Sequence, residues 1–278
     1  MLKHNLTTAE KLRVLFISTL REIKLLTRFK VSFIFTLINM LFTIAVFFFI
    51  SRFMVVDQYF QMNNYFSYVL IGLAVNQYVS TSIHIYLGTT SEAYWSNRLE
   101  LILSSPTRLK TFFLATLLWS FIFATINICF YFIVGIGVFG ANIGLPSNWY
   151  LIIPILFLVV ISLSGIGLLS ASMFLLVNAK GGVEPIGWAI ATLSGVFTGV
   201  FFPPSILPTY LQPISKILPQ TYALDAIRSI FAGKGLVEVH GAILYLILFS
   251  CILFPLGLWV FKKGIQKAER EGTLARWA

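Results

Sequence analysis

Few side chains of this sequence could carry out chemistry, and none are grouped at the spacing that catalysis or metal binding requires. The histidines His4, His84 and His240 lie far apart, with no cysteine or carboxylate at ligand spacing. Cys129 and Cys251 both lie inside apolar runs, where cysteine behaves as a small hydrophobic residue. We therefore expect neither a metal site nor a disulfide framework.

The chain also lacks the groups that supply energy to most transport proteins. A phosphate-binding loop needs the pattern G-x-x-x-x-G-K-[ST], which does not occur here. All ten acidic residues fall outside the predicted membrane spans or at their margins, whereas ion-coupled carriers place carboxylates inside the membrane. His84 has no acidic or metal-binding companion in its span, which disfavours an intramembrane enzyme such as a lipid-modifying transferase. An ATP-independent channel stays open as an alternative.

The composition is that of a membrane protein. The 278 residues are 58% hydrophobic and 11% charged, with a mean hydropathy of +0.88, too apolar for a soluble domain. A helix needs about 20 residues to cross about 30 Å of hydrocarbon. Six apolar runs reach that length, and the first is too long for a cleavable signal peptide. They are Val31–Ser51, Tyr65–Thr90, Thr111–Phe139, Trp149–Val177, Pro185–Phe202 and Val239–Phe261.

The basic residues predict how these spans are oriented. With the N-terminus in the cytoplasm, 16 lysines and arginines lie inside and 4 outside, as the positive-inside rule requires. They flank the spans and form no continuous patch, so the net charge of +10 indicates contact with anionic lipid rather than nucleic acid. We expect a multi-pass protein of a prokaryotic plasma (inner) membrane, with both termini cytoplasmic.

The two ends of the chain differ from the spans. In residues 1–30, apolar side chains recur at helical spacing between basic ones, which predicts an amphipathic helix lying in the headgroup plane. A soluble basic tail is the alternative. Residues 262–278 contain the sequence KKGIQKAEREG and predict a basic cytoplasmic tail.

Small and polar residues mark the faces of several spans. The fifth span has a small residue at every fourth position, which permits the close backbone approach that joins helices in lipid. This stripe consists of Gly187, Ala191, Gly195 and Gly199. Five polar residues inside spans either line a pathway or form interhelical hydrogen bonds, namely Asn39, Asn76, Gln77, His84 and Asn127.

The segment 203–231 between the fifth and sixth spans is too apolar for a free loop. Its prolines prevent one continuous helix. We expect two short helices that re-enter the outer leaflet and form a gate at the extracellular exit; interfacial helices that cap the bundle are the alternative. The candidate gate residues are Pro203, Pro204, Tyr210, Leu211, Pro219 and Tyr222.

The sequence NRLELILSSPTRLK, residues 97–110, lies between the second and third spans. Leu99, Ile102 and Leu103 share an apolar face, while Pro106 ends the run because the residue before proline disfavours helical geometry. This predicts a short amphipathic helix, residues 97–105, on the basic side of the membrane. It would be either a surface that a partner pushes or a turn that rests on lipid.

Two segments resemble the type-2 permeases, the membrane subunits of ATP-binding-cassette (ABC) exporters. One is the pattern E-L-x-L-S-S-P-T-R that begins at Glu100, and the other is GVFFPPSILPTYLQPISKILPQTYALDAIR, Gly199–Arg228. The six-span layout, the leading amphipathic helix and the basic tail also fit, so the resemblance covers essentially the whole chain. The fold class expected is an all-α integral membrane protein with six transmembrane helices in residues 31–261, an N-terminal interfacial helix and a re-entrant helical pair.

The resemblance implies a role for each of these segments. The helix in residues 97–105 would be the coupling helix that docks in a cleft of the ATPase subunit, and the N-terminal helix would help to clasp that subunit. The re-entrant pair would lie near the extracellular gate. The residues assigned to ATPase coupling are Arg98, Leu99, Glu100, Leu101, Ile102, Leu103, Ser104, Ser105 and Pro106.

The resemblance also implies partners and cargo. Two permeases work with two ATPases, so this chain would pair with itself or with a related permease. ATP and Mg²⁺ would bind the partner ATPase, and this chain would bind no cofactor and catalyse no reaction. Relatives export drugs, lipids and lipid-linked polysaccharides, so an amphipathic or lipid-linked substrate is expected.

Overall fold

The computed structural model describes residues 13, 16, 17, 20, 24, 30–53, 65–97, 99, 101, 109–176, 189 and 193–272. Those residues contain no strand, which confirms the predicted all-α class. Short 3-10 turns occur at Trp149–Leu151 and Pro204–Ile206. The α-helices are α1 (Lys30–Phe53), α2 (Tyr65–Trp95), α3 (Leu109–Gly137), α4 (Ile152–Leu176), α5 (Gln212–Ile217), α6 (Pro219–Phe231) and α7 (Leu236–Arg270).

Four helices are long and apolar enough to cross a membrane. They are Phe33–Phe53, Phe113–Gly137, Trp149–Leu176 and Leu236–Arg270, and they overlap the predicted first, third, fourth and sixth spans. Helix α2 covers the predicted second span with 31 residues but is less apolar, since it carries Asn76, Gln77 and several hydroxyl side chains. The fifth span is described at residue 189 and at residues 193–202, of which 189 and 193–197 are helical. The count of six spans stays a prediction.

The predicted amphipathic helix at the N-terminus lies mostly outside the described residues. Within it, Arg13, Phe16, Ile17, Leu20 and Lys24 are helical and exposed.

Helix α4 forms the centre of the bundle and packs along α2 and α7. A Cβ atom at Gly165 of α4 would overlap the backbone carbonyl of Leu253 of α7, and one at Gly257 of α7 would overlap the carbonyl of Gly165. On the other side of α4, a Cβ atom at Gly167 would lie 2.7 Å from the carbonyl oxygen of Ile83 in α2. Glycine is therefore what lets these backbones touch, as close association in lipid requires.

The small-residue stripe of the fifth span is described at Gly195 and Gly199. Gly199 lies in a bend at residues 198–202 and has φ +88°, a backbone conformation that glycine adopts without strain. A Cβ atom at Gly195 would contact only the ring of Phe201, at 3.3 Å. Gly187 and Ala191 lie outside the described residues. Gly199 thus lies just beyond the last helical residue, and the packing role of the stripe stays a prediction.

The last helix is longer than the sequence predicted. Helix α7 runs unbroken for 35 residues to Arg270, beyond the predicted end of the span at Phe261. The extension ends just before Gly272, which has φ +65°. The Lys267 Nζ atom also donates a hydrogen bond to the carbonyl of Leu176 at 3.1 Å, which satisfies an acceptor at the C-terminus of α4. The first part of the predicted basic tail is therefore the end of α7.

The polar residues of the spans fall into two environments. Asn127 is buried within the bundle, and its Oδ1 atom has no hydrogen-bond partner among the described residues. Asn39 and His84 are exposed on the surface of the protomer, whereas Asn76 and Gln77 are half-buried.

Candidate functional site

The candidate coupling segment begins immediately after α2. The helix ends at Trp95, and Asn97 has φ +54°, a left-handed conformation in which asparagine often terminates helices. Leu99 is helical and packs in a buried cluster with Phe113 of α3 and Phe261 of α7. Leu101 is also helical, but 66% of its side chain is exposed. The other assigned residues, Arg98, Glu100, Ile102, Leu103, Ser104, Ser105 and Pro106, lie outside the described residues.

Two short helices lie where the sequence predicted the re-entrant pair. Proline stands in the first turn of both α5 and α6, where its missing N–H costs nothing. Helix α6 buries Leu224, Ile227 and Ile230 in one cluster with side chains of α2, α4 and α7. The segment is thus an integral part of the bundle, and its depth in the membrane stays a prediction.

The structure brings together three of the six candidate gate residues. Pro203, Pro204 and Tyr222 line one cavity of about 580 Å³. Of the others, Pro219 is buried at the start of α6, Leu211 is half-buried before α5, and Tyr210 is 78% exposed. The cavity therefore brings together half of the candidate gate residues.

Next to this cavity, Arg228 joins three separate segments of the chain. Its side chain is 1% exposed. The Nη1 atom donates to the carbonyl of Gly199 at 2.7 Å, and Nη2 donates to the carbonyls of Tyr68 at 3.1 Å and Val200 at 3.2 Å. The Tyr68 hydroxyl donates to the same Gly199 carbonyl at 2.9 Å. We call this set of contacts the arginine clamp; it holds the end of the fifth span against α2 and α6.

The arginine clamp supplies hydrogen-bond donors to backbone carbonyls that are left without helical partners where the fifth span ends in a bend. The last carbonyls of a helix have no partner within the helix and need donors from elsewhere. A guanidinium carries five N–H donors and keeps its charge in almost any environment. Burial lowers the pKa of Arg228 to about 10, while Tyr68 and Asp225 act in the opposite direction, so the side chain stays charged at neutral pH. A second bond joins the same elements, since Gln220 of α6 donates to the Ser194 hydroxyl.

A neighbouring glycine makes room for the clamp. A Cβ atom at Gly72 would overlap the carbonyl oxygen of Val200 and would lie 2.8 Å from Arg228 Nη2. Gly72 therefore lets α2 approach the bend at the end of the fifth span.

Sequence reasoning missed the clamp, since it counted Arg228 among the basic residues of an outer loop. A signal was present: Arg228 follows Ile227 and lies four residues after Leu224, on the face that α6 buries. A lone arginine on the apolar side of a short helix predicts a buried partner set.

The cavity beside the clamp contains a carboxylate. Asp225 lies one turn before Arg228 on α6 and lines the cavity with Lys216 and Tyr222. Burial raises the pKa of Asp225 above its usual range, and the nearby charge of Arg228 lowers it in part. Within the described part of the chain, the Asp225 carboxylate forms neither a salt bridge nor a hydrogen bond.

Comparison with known proteins identifies the family. A family model of ABC-2 family transporter proteins matches residues 56–259, well over half of the chain. The chain belongs to the ABC-2 transporter family. The match confirms the resemblance drawn from the two sequence segments, and it includes both the candidate coupling segment and the arginine clamp.

A curated bacterial protein shows the same kinship. The linearmycin resistance permease protein LnrN of Bacillus subtilis (strain 168) is 29% identical over 125 residues, which is 43% of this chain and 30% of that permease. The aligned stretch thus spans less than a third of the length of this relative. The family match and the apolar helices together identify a helical membrane protein of the ABC-2 transporter family.

Proposed function

We propose that this chain is the membrane-spanning subunit of an ATP-driven exporter. Two permease chains and two ATPase subunits would form the working unit in a prokaryotic plasma membrane. ATP and Mg²⁺ would bind the ATPase subunits, which would move the coupling segment 97–105 and so open the gate at the other end of the bundle. The cargo would be an amphipathic or lipid-linked molecule that leaves the cytoplasm or the inner leaflet.

The observation that carries this proposal is the path of α2. This helix contributes Tyr68 to the arginine clamp near its first turn and leads into the coupling segment after Trp95. With 31 residues and a rise of about 1.5 Å per residue, it spans about 46 Å, longer than the hydrocarbon core of a bilayer. One continuous helix thus connects the candidate coupling segment with the candidate gate.

Packing of the two ends of α2 supports the same proposal. Near its last turn α2 shares a buried cluster with Leu99, Phe113 and Phe261, and near its first turn it holds the clamp. A displacement of the coupling segment would therefore be transmitted to the clamp through a rigid helix rather than lost in a loop.

The experiment that tests the proposal is an ATPase assay in lipid nanodiscs with the nucleotide-binding subunit that co-purifies with the chain. Wild type is compared with the double variant Glu100→Arg plus Leu103→Asp. Glu269→Arg is the matched control, because it reverses an exposed carboxylate near the end of α7. We expect the double variant to lose binding and stimulation of the ATPase and the control to retain both.

Three outcomes separate the proposal from its alternatives. Loss of stimulation in the folded double variant, together with ATP-dependent transport by wild type, supports coupled export. Unchanged binding and stimulation would contradict the coupling role of residues 97–105. Transport by the chain alone, without any ATPase, would instead identify a channel or secondary transporter.

A further inference from the structure

The cavity at the candidate gate has walls from several elements. Tyr68 of α2, Tyr245 of α7 and Pro203 contribute to it, as do α5 and α6. The Tyr222 hydroxyl donates to the Lys216 carbonyl at 2.8 Å, which fixes α6 to α5. The Tyr222 and Tyr245 rings stack at a centroid distance of 4.6 Å. A volume of about 580 Å³ lies within the range of small-molecule sites.

Two buried hydroxyl groups in this wall lack a protein partner. Ser215 is 2% exposed and Thr221 is 6% exposed. Neither Ser215 Oγ nor Thr221 Oγ1 forms a hydrogen bond within the described part of the chain. Buried hydroxyls in native proteins are almost always satisfied, so each group needs a partner that the described residues do not supply. Both residues line the cavity.

The charged groups of the cavity indicate what that partner carries. Asp225 and Thr221 are four residues apart on α6 and therefore share one face. The Asp225 carboxylate is without an ion pair among the described residues, and the exposed residue Lys216 lines the same cavity. A purely cationic ligand would be repelled by Lys216 and a purely anionic one by Asp225, because like charges at close range cost free energy.

We propose that this cavity binds a zwitterionic amine–phosphate group, with its ammonium on Asp225 and its phosphate on Lys216. The buried hydroxyls of Ser215 and Thr221 supply further hydrogen bonds to the bound group. Tyr222 and Tyr245, which are stacked on each other, form an aromatic wall beside the bound group. This site goes beyond the proposed export function, since it is built within one chain and needs no ATPase.

The surroundings of the cavity favour a lipid as the source of this group. Ile206, Tyr210 and Ile217 belong to the segments that form its walls, and each is more than half exposed. Such side chains suit contact with acyl chains next to a bound headgroup. Free phosphoethanolamine carries the same chemistry, so the test must separate the two sources.

The test counts phospholipids that stay bound to the full chain. The chain is reconstituted in nanodiscs of phosphatidylethanolamine and phosphatidylglycerol in equal parts, and native mass spectrometry measures the lipids retained after release. We expect wild type to retain phosphatidylethanolamine selectively. Asp225→Asn and Lys216→Met should each weaken retention about tenfold, as expected for loss of one charge-assisted contact. Lys216→Arg should restore it, and Glu238→Gln, at a carboxylate outside the cavity, should bind like wild type.

Each outcome of this test either supports or overturns the proposed headgroup site. Displacement of the lipid by soluble phosphoethanolamine would show that the free group suffices, and resistance to displacement would show that the lipid is required; both support the site. Equal retention of the two lipids, or retention by Asp225→Asn and Lys216→Met equal to that of wild type, would overturn the proposal. Thermal unfolding of the variants checks folding, and Asp225→Asn should fold normally because its carboxylate has no protein hydrogen bond to lose.

Discussion

The guanidinium carbon of Arg228 lies 3.4 Å from the ring centroid of Tyr68, while both side chains donate hydrogen bonds to the same carbonyl of Gly199. The two residues are far apart in sequence and belong to different helices. Their shared acceptor lies in the bend that ends the fifth span. The bend is therefore held from two sides by donors that no local sequence feature supplies.

Arg228→Met should destabilise the folded chain by about 3 kcal/mol or more, because three buried carbonyls lose charge-assisted donors. Arg228→Lys should lie between this variant and wild type, since an ammonium cannot reach all three acceptors in the same fork. The measurement is the free energy of unfolding in mixed micelles. Lys234→Met removes an exposed cation of the same region and should change little; equal losses at both positions would contradict the clamp.

Tyr68→Phe should cost about 1 kcal/mol, the net value of one buried hydrogen bond, since the ring and its contact with Arg228 are kept. Combined with Arg228→Lys, the two losses should not add, because both act on the Gly199 carbonyl. A double-mutant cycle on unfolding free energies measures this coupling. Strict additivity would show that the two contacts are independent.

Gly165→Ala should destabilise the bundle by about 1–3 kcal/mol, because the new Cβ atom would overlap backbone atoms of α7. Gly88→Ala is the matched control: Gly88 lies in helix α2 with no neighbouring atom within 4 Å of its Cβ position. That change should stabilise the chain by up to about 1 kcal/mol, since alanine has the higher helix propensity. Thermal melts of both variants in one detergent decide whether backbone contact governs this interface.

Leu99→Asp and Leu101→Asp should separate folding from coupling. Leu99 is 4% exposed and Leu101 is 66% exposed, so only the first substitution buries a carboxylate. We expect Leu99→Asp to prevent stable folding, and Leu101→Asp to fold but to bind the ATPase subunit less tightly. Expression, size-exclusion profiles and ATPase pull-downs give both readouts. A folded Leu101→Asp variant with full ATPase binding would remove this position from the docking surface.

The spans that could be predicted from sequence are those for which the lipid environment allows only a helix. An uninterrupted apolar run of about 20 residues in a lipid environment has to be helical, and α1, α3, α4 and α7 follow the predicted runs closely at their N-terminal ends. Helix α6 could also be predicted, because Leu224, Ile227 and Ile230 recur at helical spacing and all three are buried.

What the sequence could not predict depends on contacts with backbone atoms. Arg228 binds three backbone carbonyls. Every residue has such a carbonyl, so residue types do not indicate which ones are bound. Gly165 and Gly257 meet across two helices, and neither belongs to the regular stripe that drew attention to the fifth span. The continuation of α7 past Phe261 gives no hydropathy signal, since its last turns are charged.

The glycine contact between α4 and α7 has a practical value for following motion in this transporter. Because Gly165 and Gly257 leave no space between the two backbones, the helices can neither slide nor separate there without breaking the contact. Spin labels placed on exposed positions of α4 and α7 should therefore report a constant separation during turnover. The distance between the labels on α4 and α7 provides a fixed reference against which any displacement of α2 can be measured.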